Sequence, residues 1–262
     1  MNIKFPPDIL LLLSFIKSEW LIISFSVFTF IFIYWLLSPS QRKWLWDYLV
    51  PVLFFLTLAG RTLWKAKGVI RNWIGKPGFL IMISVNNILI LSFMLLTIIS
   101  YVIRRKPMER AVGIKERAFP LSVVIFHLVG SYFIGQHIKF RFNFTLYILG
   151  IFFSILGATL DCMALWKLKR SFSIMVEVRP LITSGVYNKI RHPLYTGEIL
   201  HFLGITLVFN NVIVYGMLAF LTILQALRAK LEEKKLKAYF PDYSVYMKKT
   251  GFFFPRFRYR KT

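Results

Sequence analysis

The segment RHPLYTGE, residues 191–198, puts an arginine, a histidine and a proline just ahead of a tyrosine and a glycine in an otherwise apolar chain. Proline pushes the residue before it out of the helical region and itself suits the first helical position. His192 is therefore predicted at the mouth of a helix, beside backbone N–H groups that have no partner, with Arg191 adding a full positive charge. Such an end can receive a carboxylate or a phosphate at a membrane surface. The same residues would also suit a plain interfacial cap, with Arg191 on lipid headgroups and Tyr195 in an aromatic belt.

Two further stretches carry polar chemistry. In RAKLEEKKL, residues 228–236, Arg228 and Glu232 stand four apart and so share one helix face. As a surface pair this arginine-first order is worth only about 0.2–0.5 kcal/mol. Glu233 points about 100° away and is placed to pair with Lys237. In LITSGVYNKI, residues 181–190, Thr183, Ser184 and Gly185 are turn formers, followed by Tyr187. The tail YFPDYSVYMKKTGFFFP, 239–255, is dense in aromatics and predicted to pack on the same surface.

These stretches must be held by membrane helices. The 262 residues are 57% hydrophobic and only 17% charged, with mean hydropathy +0.61; a soluble domain would carry about a quarter charged residues. Apolar runs at about 20–37, 48–64, 79–103, 119–138, 145–166, 194–210 and 212–230 approach or exceed the roughly 18–20 residues that a crossing helix needs. The reading is an all-α, polytopic transmembrane helix bundle of about six or seven spans, with a C-terminal helical hairpin, to which the family resemblance given below adds a cytoplasmic cofactor pocket. The run 8–16 is too short to span and is read as interfacial, and the N-terminal 20 residues as retained rather than cleaved. Pro51 and Arg61 interrupt the second run.

Asn210 and Asn211 break the last apolar stretch, because two amides side by side are costly in lipid and favoured in a tight turn. Residues 194–230 thus form a hairpin whose second arm continues through QALRAKLEEKKLKAYF out of the bilayer. The net charge of +23 lies mainly between apolar runs, which reads as loops on an anionic leaflet rather than nucleic-acid binding. The positive-inside rule puts loops 104–118 and 167–193 and the tail in the cytoplasm; loop 65–78, also basic, fits only if 48–64 does not cross fully. Three parts follow: an N-terminal transmembrane region 1–115, a denser unit 119–257, and a basic tail 258–262.

In order and spacing, ITSGVYNKIRHPLYTGEIL, then Arg228 ahead of the Glu232–Glu233 pair, then FPDYSVYMKKTGFFFP resemble the isoprenylcysteine carboxyl methyltransferase family of integral membrane methyltransferases, over about 119–257. Membrane methyltransferases of phospholipid amines share a looser version. The resemblance implies S-adenosyl-L-methionine as cofactor, contacted by Leu181, Ile182, Tyr187, His192, Pro193, Leu194 and Tyr195. It implies that Glu232 binds the cofactor, with Glu233 counted in the same site, and that Arg228 orients a substrate carboxylate. The acceptor would be a lipophilic small molecule or lipidated substrate reached from the membrane lipids, most simply an isoprenylcysteine-like carboxylate giving a methyl ester. Where the family has a histidine-containing segment, this chain reads VRPLI, with Arg179 and Pro180.

Two alternatives share parts of the pattern. A nicotinamide-dependent sterol-type reductase would have asparagine before the tyrosine and aspartate after the glycine, where this chain has Leu194 and Glu198. A non-enzymatic lipid-binding or assembly protein would keep the fold alone. No metal is implied: His127, His137, His192 and His201 never fall at three- or four-residue spacing. His127 and His137 are read as satisfied packing residues, Cys162 as a small hydrophobe, and Asp161 as either an intramembrane functional acid or a partner of Lys167.

Overall fold

In the computed structural model, residues 77–139 and 142–256 are described, together with positions 52, 55, 56, 59, 60 and 62. The readings at 8–16, 20–37 and loop 65–76, and most of 48–64, lie outside these residues; the described positions between 52 and 62 are helical. All described residues belong to one compact unit, Val52–Thr262.

From Pro77 on, the described residues form six α-helices: α1 Pro77–Ile103, α2 Gly113–His137, α3 Phe144–Leu168, α4 Pro193–Phe209, α5 Val212–Tyr239 and α6 Tyr243–Lys249. The described residues form no strands beyond two isolated bridges. The apolar runs read at 79–103, 119–138, 145–166, 194–210 and 212–230 thus correspond to α1 through α5. α1, α3 and α5 are long and apolar enough to cross a membrane, over Ser84–Ile103, Phe144–Ser171 and Val212–Tyr239, while α4 is a shorter apolar helix. Large apolar side chains such as Ile88, Leu95, Phe152, Trp166 and Ile223 face outward. That surface is tolerable where the solvent is lipid. The chain is an integral membrane protein.

Polar side chains set the boundaries. Asn143 accepts the Leu146 N–H at 3.0 Å to start α3, as an N-cap should. Pro193 occupies the first turn of α4 after His192, whose backbone lies outside the helical region at φ −121° and ψ 57°. At the hairpin tip Asn210 takes the left-handed conformation, φ 43° and ψ 55°, one that asparagine tolerates better than most residues. Asn211 then accepts the Ile213 N–H at 2.9 Å and opens α5. The adjacent amides that looked costly in lipid are thus spent on the two helix ends. α5 continues unbroken past the apolar run to Tyr239.

The tightest contact in the bundle is between α3 and the antiparallel α4. Two glycine pairs make it: a Cβ at Gly157 would lie 2.5 Å from the Gly197 carbonyl oxygen, and one at Gly204 2.5 Å from that of Gly150. The pairs are seven residues apart on each helix, two turns, so both sit on the same seam. Between them Ser154 donates to Asn86 of α1 at 2.7 Å and meets His201 Nδ1 at 2.9 Å. Close backbone approach through small residues, reinforced by buried hydrogen bonds, is how helices associate where apolar burial gives no drive. Replacing Gly157 or Gly204 by leucine is expected to force the helices apart and to lose at least about 1–3 kcal/mol. A matching fall in melting temperature in detergent would check it; an unchanged melt would refute the seam.

Candidate functional site

At the end of the bundle where α1 and α3 finish and α4 begins, three loops are bound to one another. Loop 104–112 pairs with 170–180: the Arg105 N–H donates to the Arg170 carbonyl at 3.0 Å, Met108 N–H to Val178 O at 2.8 Å, and Val178 N–H back to Glu109 O at 2.9 Å. Arg179 donates to the Arg105 carbonyl and, at 2.7 Å, to Glu177. The tail runs beside residues 189–192, with Gly251 N–H on Lys189 O at 3.0 Å and Arg191 N–H on Gly251 O at 2.8 Å. The aromatic tail thus packs where its sequence suggested, and the basic segments 104–118 and 167–193 share this end with it.

Glu233 ties the start of α4 to α5. It accepts from Arg191 Nε at 2.5 Å and meets His192 Nε2 at 3.1 Å. Arg191 also donates to the carbonyls of Met247, at 3.0 Å, and Thr250, at 2.5 Å. The partner of Glu233 is therefore this pair rather than Lys237, because packing the tail against α4 brings Arg191 over the turn of α5 that carries Glu233.

A pocket with polar groups in its wall opens beside this clamp. Its lining includes Leu181, Ile182, Tyr187, His192, Leu194, Tyr195 and Glu232, seven of the residues singled out from sequence. Tyr195 donates its hydroxyl to Glu232, its ring lies parallel to the His192 imidazole with centroids 5.4 Å apart, and the Arg228 guanidinium sits 4.7 Å above it. Glu232 is 22% exposed in its side chain and 3.7 Å from Arg228. Pro193 and Glu233 do not line the pocket; Pro193 starts α4 behind it, and Glu233 is occupied in the clamp. Tyr187 and Tyr243 line it too, and burial, then the Glu232 or Glu233 carboxylate, pushes their phenols well above the ordinary tyrosine value. Tyr246, which donates to the Tyr187 carbonyl at 2.6 Å, is pushed up to about 12, chiefly by burial. All three are neutral donors at physiological pH.

Arg228 is not the surface ion pair its spacing suggested. Its side chain is 2% exposed; one nitrogen donates to the Ile174 carbonyl at 2.8 Å, and Nε has no hydrogen-bond partner among the described residues. It lines a second, mostly apolar chamber together with Asp161, Glu198, His127, His201 and residues of α1, α2 and α3. Phe172 and Leu194 line both cavities and form the wall between them. His127 was read as satisfied, yet its Nδ1 has no partner among the described residues, and it stacks on His201 with centroids 6.1 Å apart. Asp161 forms no ion pair with Lys167, whose stem lies instead against Gly185. Cys162 approaches the Leu89 carbonyl at 3.5 Å.

Sequence reasoning passed over Lys235 and Arg179, both in the pocket lining. Lys235 looked like one charge in a solvated run, but it reaches Glu116 at 2.5 Å and Glu109 at 3.5 Å across the fold. Arg179 is buried, with Nε unpartnered among the described residues. Its only signal was its place in VRPLI, where the resembling family has a histidine-containing segment.

The family model described as phospholipid methyltransferase matches residues 145–242, which is α3 through α5 and the intervening loop. Over 77 residues the chain is 34% identical to the cobalt-zinc-cadmium resistance protein CzcN of Cupriavidus metallidurans. That match covers 29% of this chain and 36% of the relative, so the chain spans about a third of that protein's length.

Two outcomes follow from the clamp and the Lys235 network. Glu233→Leu leaves Arg191 without its carboxylate; since the carbonyl contacts persist, a loss of about 2–3 kcal/mol is expected, below the roughly 3–5 of a fully enclosed pair. Trypsin cleavage at Lys248 or Lys249 should rise, and unchanged cleavage would refute the clamp. Burial works against the Glu116 carboxylate, but the Lys235 ammonium and the Val112 N–H outweigh it and hold its pKa below the ordinary glutamate value. A lowered folded value contributes stability above the unfolded pKa and loses it as pH falls through the folded one. The parent's advantage over Glu116→Gln, about 1 kcal/mol near neutrality, should therefore vanish in acid in paired thermal melts.

Proposed function

We propose that this chain, whose residues 145–242 match the phospholipid methyltransferase family, transfers a methyl group from S-adenosylmethionine to a lipophilic acceptor drawn from the membrane. The observation that carries this reading is the pair of adjoining cavities: a pocket with Glu232 and tyrosines in its wall, and a more apolar chamber that shares Leu194 and Phe172 with it. Methyl transfer brings a charged, water-soluble donor and a lipid-soluble acceptor together, and a pocket with charged and hydroxyl groups in its wall beside a more apolar chamber suits both.

The pocket's chemistry fits the donor, which when bound supplies an electrophilic methyl on a sulfonium. Glu232 offers a carboxylate to the donor's amine, and the tyrosine faces favour a cation. Arg179 Nε is a buried donor without a partner among the described residues, suited to a carboxylate. It would take over the contact that the family's histidine segment makes. Leu181, Ile182, Tyr187, His192 and Leu194 supply the remaining walls, and the Glu233 clamp holds His192 in register. The basic segments at this end favour its facing the cytoplasm. Residues 119–257 act as the methyltransferase unit, next to an N-terminal transmembrane region, 1–115.

The acceptor class turns on the charge in the chamber. The carboxylate that the resemblance implies would be oriented by Arg228, and its unpartnered Nε speaks for that. However, the guanidinium already has Glu232 at 3.7 Å and Glu198 on the same chamber, and Asp161 lies there too. A further carboxylate would join the Glu232, Glu198 and Asp161 carboxyls around one cation, in a medium that screens poorly. A nitrogen acceptor reverses that balance, so the reading taken is a lipophilic amine, such as a phospholipid amine.

Glu232→Gln is expected to weaken S-adenosylmethionine binding by about 1.5–3 kcal/mol, the value of a charge-assisted bond; equal affinity by calorimetry would refute the pocket assignment. Incubating parent and Arg228→Leu with the labelled donor, stearylamine and stearic acid decides the acceptor. Transfer to the amine that survives in Arg228→Leu supports the nitrogen. A methyl ester formed by the parent and lost in Arg228→Leu by orders of magnitude would establish the carboxylate instead.

A further inference from the structure

Asp161 is a carboxylic acid inside a membrane helix, 5% exposed, with Oδ1 lacking any hydrogen-bond partner among the described residues. An ionisable group in that setting is costly, and it persists where it has work or a partner. The fold gives it neither a lysine nor a helix end. It is set in the α3–α4 seam, directly against the Cα of Gly197, where no larger residue would leave it room. From there it lines the buried chamber together with Glu198, the next residue of α4. Glu198 is itself engaged by Gln225 of α5, whereas Asp161 has no such contact at Oδ1.

The other polar groups on this chamber are Arg228, His127 and His201. His201 is engaged with Ser154 at 2.9 Å, and Arg228 with the Ile174 carbonyl and, at 3.7 Å, Glu232. Three atoms of the lining residues thus lack a hydrogen-bond partner among the described residues, His127 Nδ1, Arg228 Nε and Asp161 Oδ1, and of these residues only Asp161 can carry the negative charge that pairs with an ammonium. A lipophilic amine arriving from the bilayer presents an ammonium at neutral pH. It has no lone pair for attack until one proton leaves, and an arginine cannot take that proton.

We propose that Asp161, supported by Glu198, binds the ammonium of the acceptor and takes its proton, making it a catalytic residue of the methyl transfer. The inference rests on the nitrogen reading above. The N–H bond breaks and its proton passes to the Asp161 carboxylate, leaving the nitrogen lone pair free. That lone pair forms the new N–C bond to the methyl carbon while the C–S bond breaks and its electron pair stays on sulfur. The product leaves as a methylated ammonium, and Asp161 returns its proton to water, so one proton is released per methyl transferred.

The test uses the full-length protein in detergent with stearylamine as acceptor, in the parent, Asp161→Asn and Asp161→Glu. The expected result for Asp161→Asn is a fall in single-turnover transfer by about a hundredfold or more, the usual contribution of a positioned base, with donor affinity by calorimetry within about twofold of the parent. Asp161→Glu should recover part of the rate. An O-alkyl hydroxylamine of the same chain length, whose nitrogen is unprotonated at neutral pH, should be methylated by Asp161→Asn nearly as well as by the parent. Independently of turnover, adding stearylamine without donor should change the carboxyl region of the infrared difference spectrum in the parent and not in Asp161→Asn. Should Asp161→Asn fail to purify, the Asp161→Glu rate and the parent's infrared response decide. Undiminished transfer to stearylamine in Asp161→Asn overturns the role of Asp161 while leaving the function reading intact. A parent that methylates stearic acid and not stearylamine overturns the nitrogen reading, and this inference with it.

Discussion

The carboxylate of Glu233 is held between Arg191 and His192, and the rest of the site depends on that contact. It joins the loop before α4 to the emerging part of α5, two segments more than 40 residues apart. One residue earlier on α5, Glu232 then falls opposite Tyr195; one turn earlier, Arg228 lies over the same ring. The clamp also recruits the tail, because the arginine that meets Glu233 donates to carbonyls at Met247 and Thr250. An arginine fork suits this better than a lysine, since its donors point in fixed, separate directions.

Below the clamp, the α3–α4 seam sets the depth at which chemistry can occur. Glycines 150, 157, 197 and 204 bring two backbones into contact, and the space they yield is filled by Ser154, His201 and Asp161. Polar groups are therefore gathered along one line inside an otherwise apolar bundle. The result is a graded interior: loops and a charged clamp at the surface, the pocket with Glu232 beside it, and a more apolar chamber lined by Phe172, Leu194, Asp161, Glu198 and Arg228 adjoining that pocket. Membrane proteins keep such groups only where a cavity or a partner justifies the desolvation.

Arg228 and Glu232 illustrate how far spacing alone can be read. Four residues apart, they share a face in any helix, and they do approach each other. Spacing does not reveal burial, however. The arginine turned out to be enclosed and stacked, while the glutamate one turn on reaches the pocket. Lys235, in the same charged run, is buried as well. A helix leaving a bilayer looks solvated in sequence because its charges come in a cluster; here two loops and the tail close over it.

Sequence by itself determined the helical class, the apolar helices α1 to α5, and the hairpin tip at Asn210–Asn211. These follow from apolar run length, proline and asparagine, all local in the chain. It also marked Leu181, Ile182, Tyr187, His192, Leu194, Tyr195 and Glu232, which the fold gathers around one pocket. Tertiary structure alone decided the partners: Glu233 with Arg191 and His192, Lys235 with Glu116, and Asp161 with the chamber instead of Lys167. Those pairings depend on how helices rotate and approach, which is fixed by glycines seven residues apart on two different helices. A period within one helix can be seen in a sequence, but the register between two helices exists only once they pack.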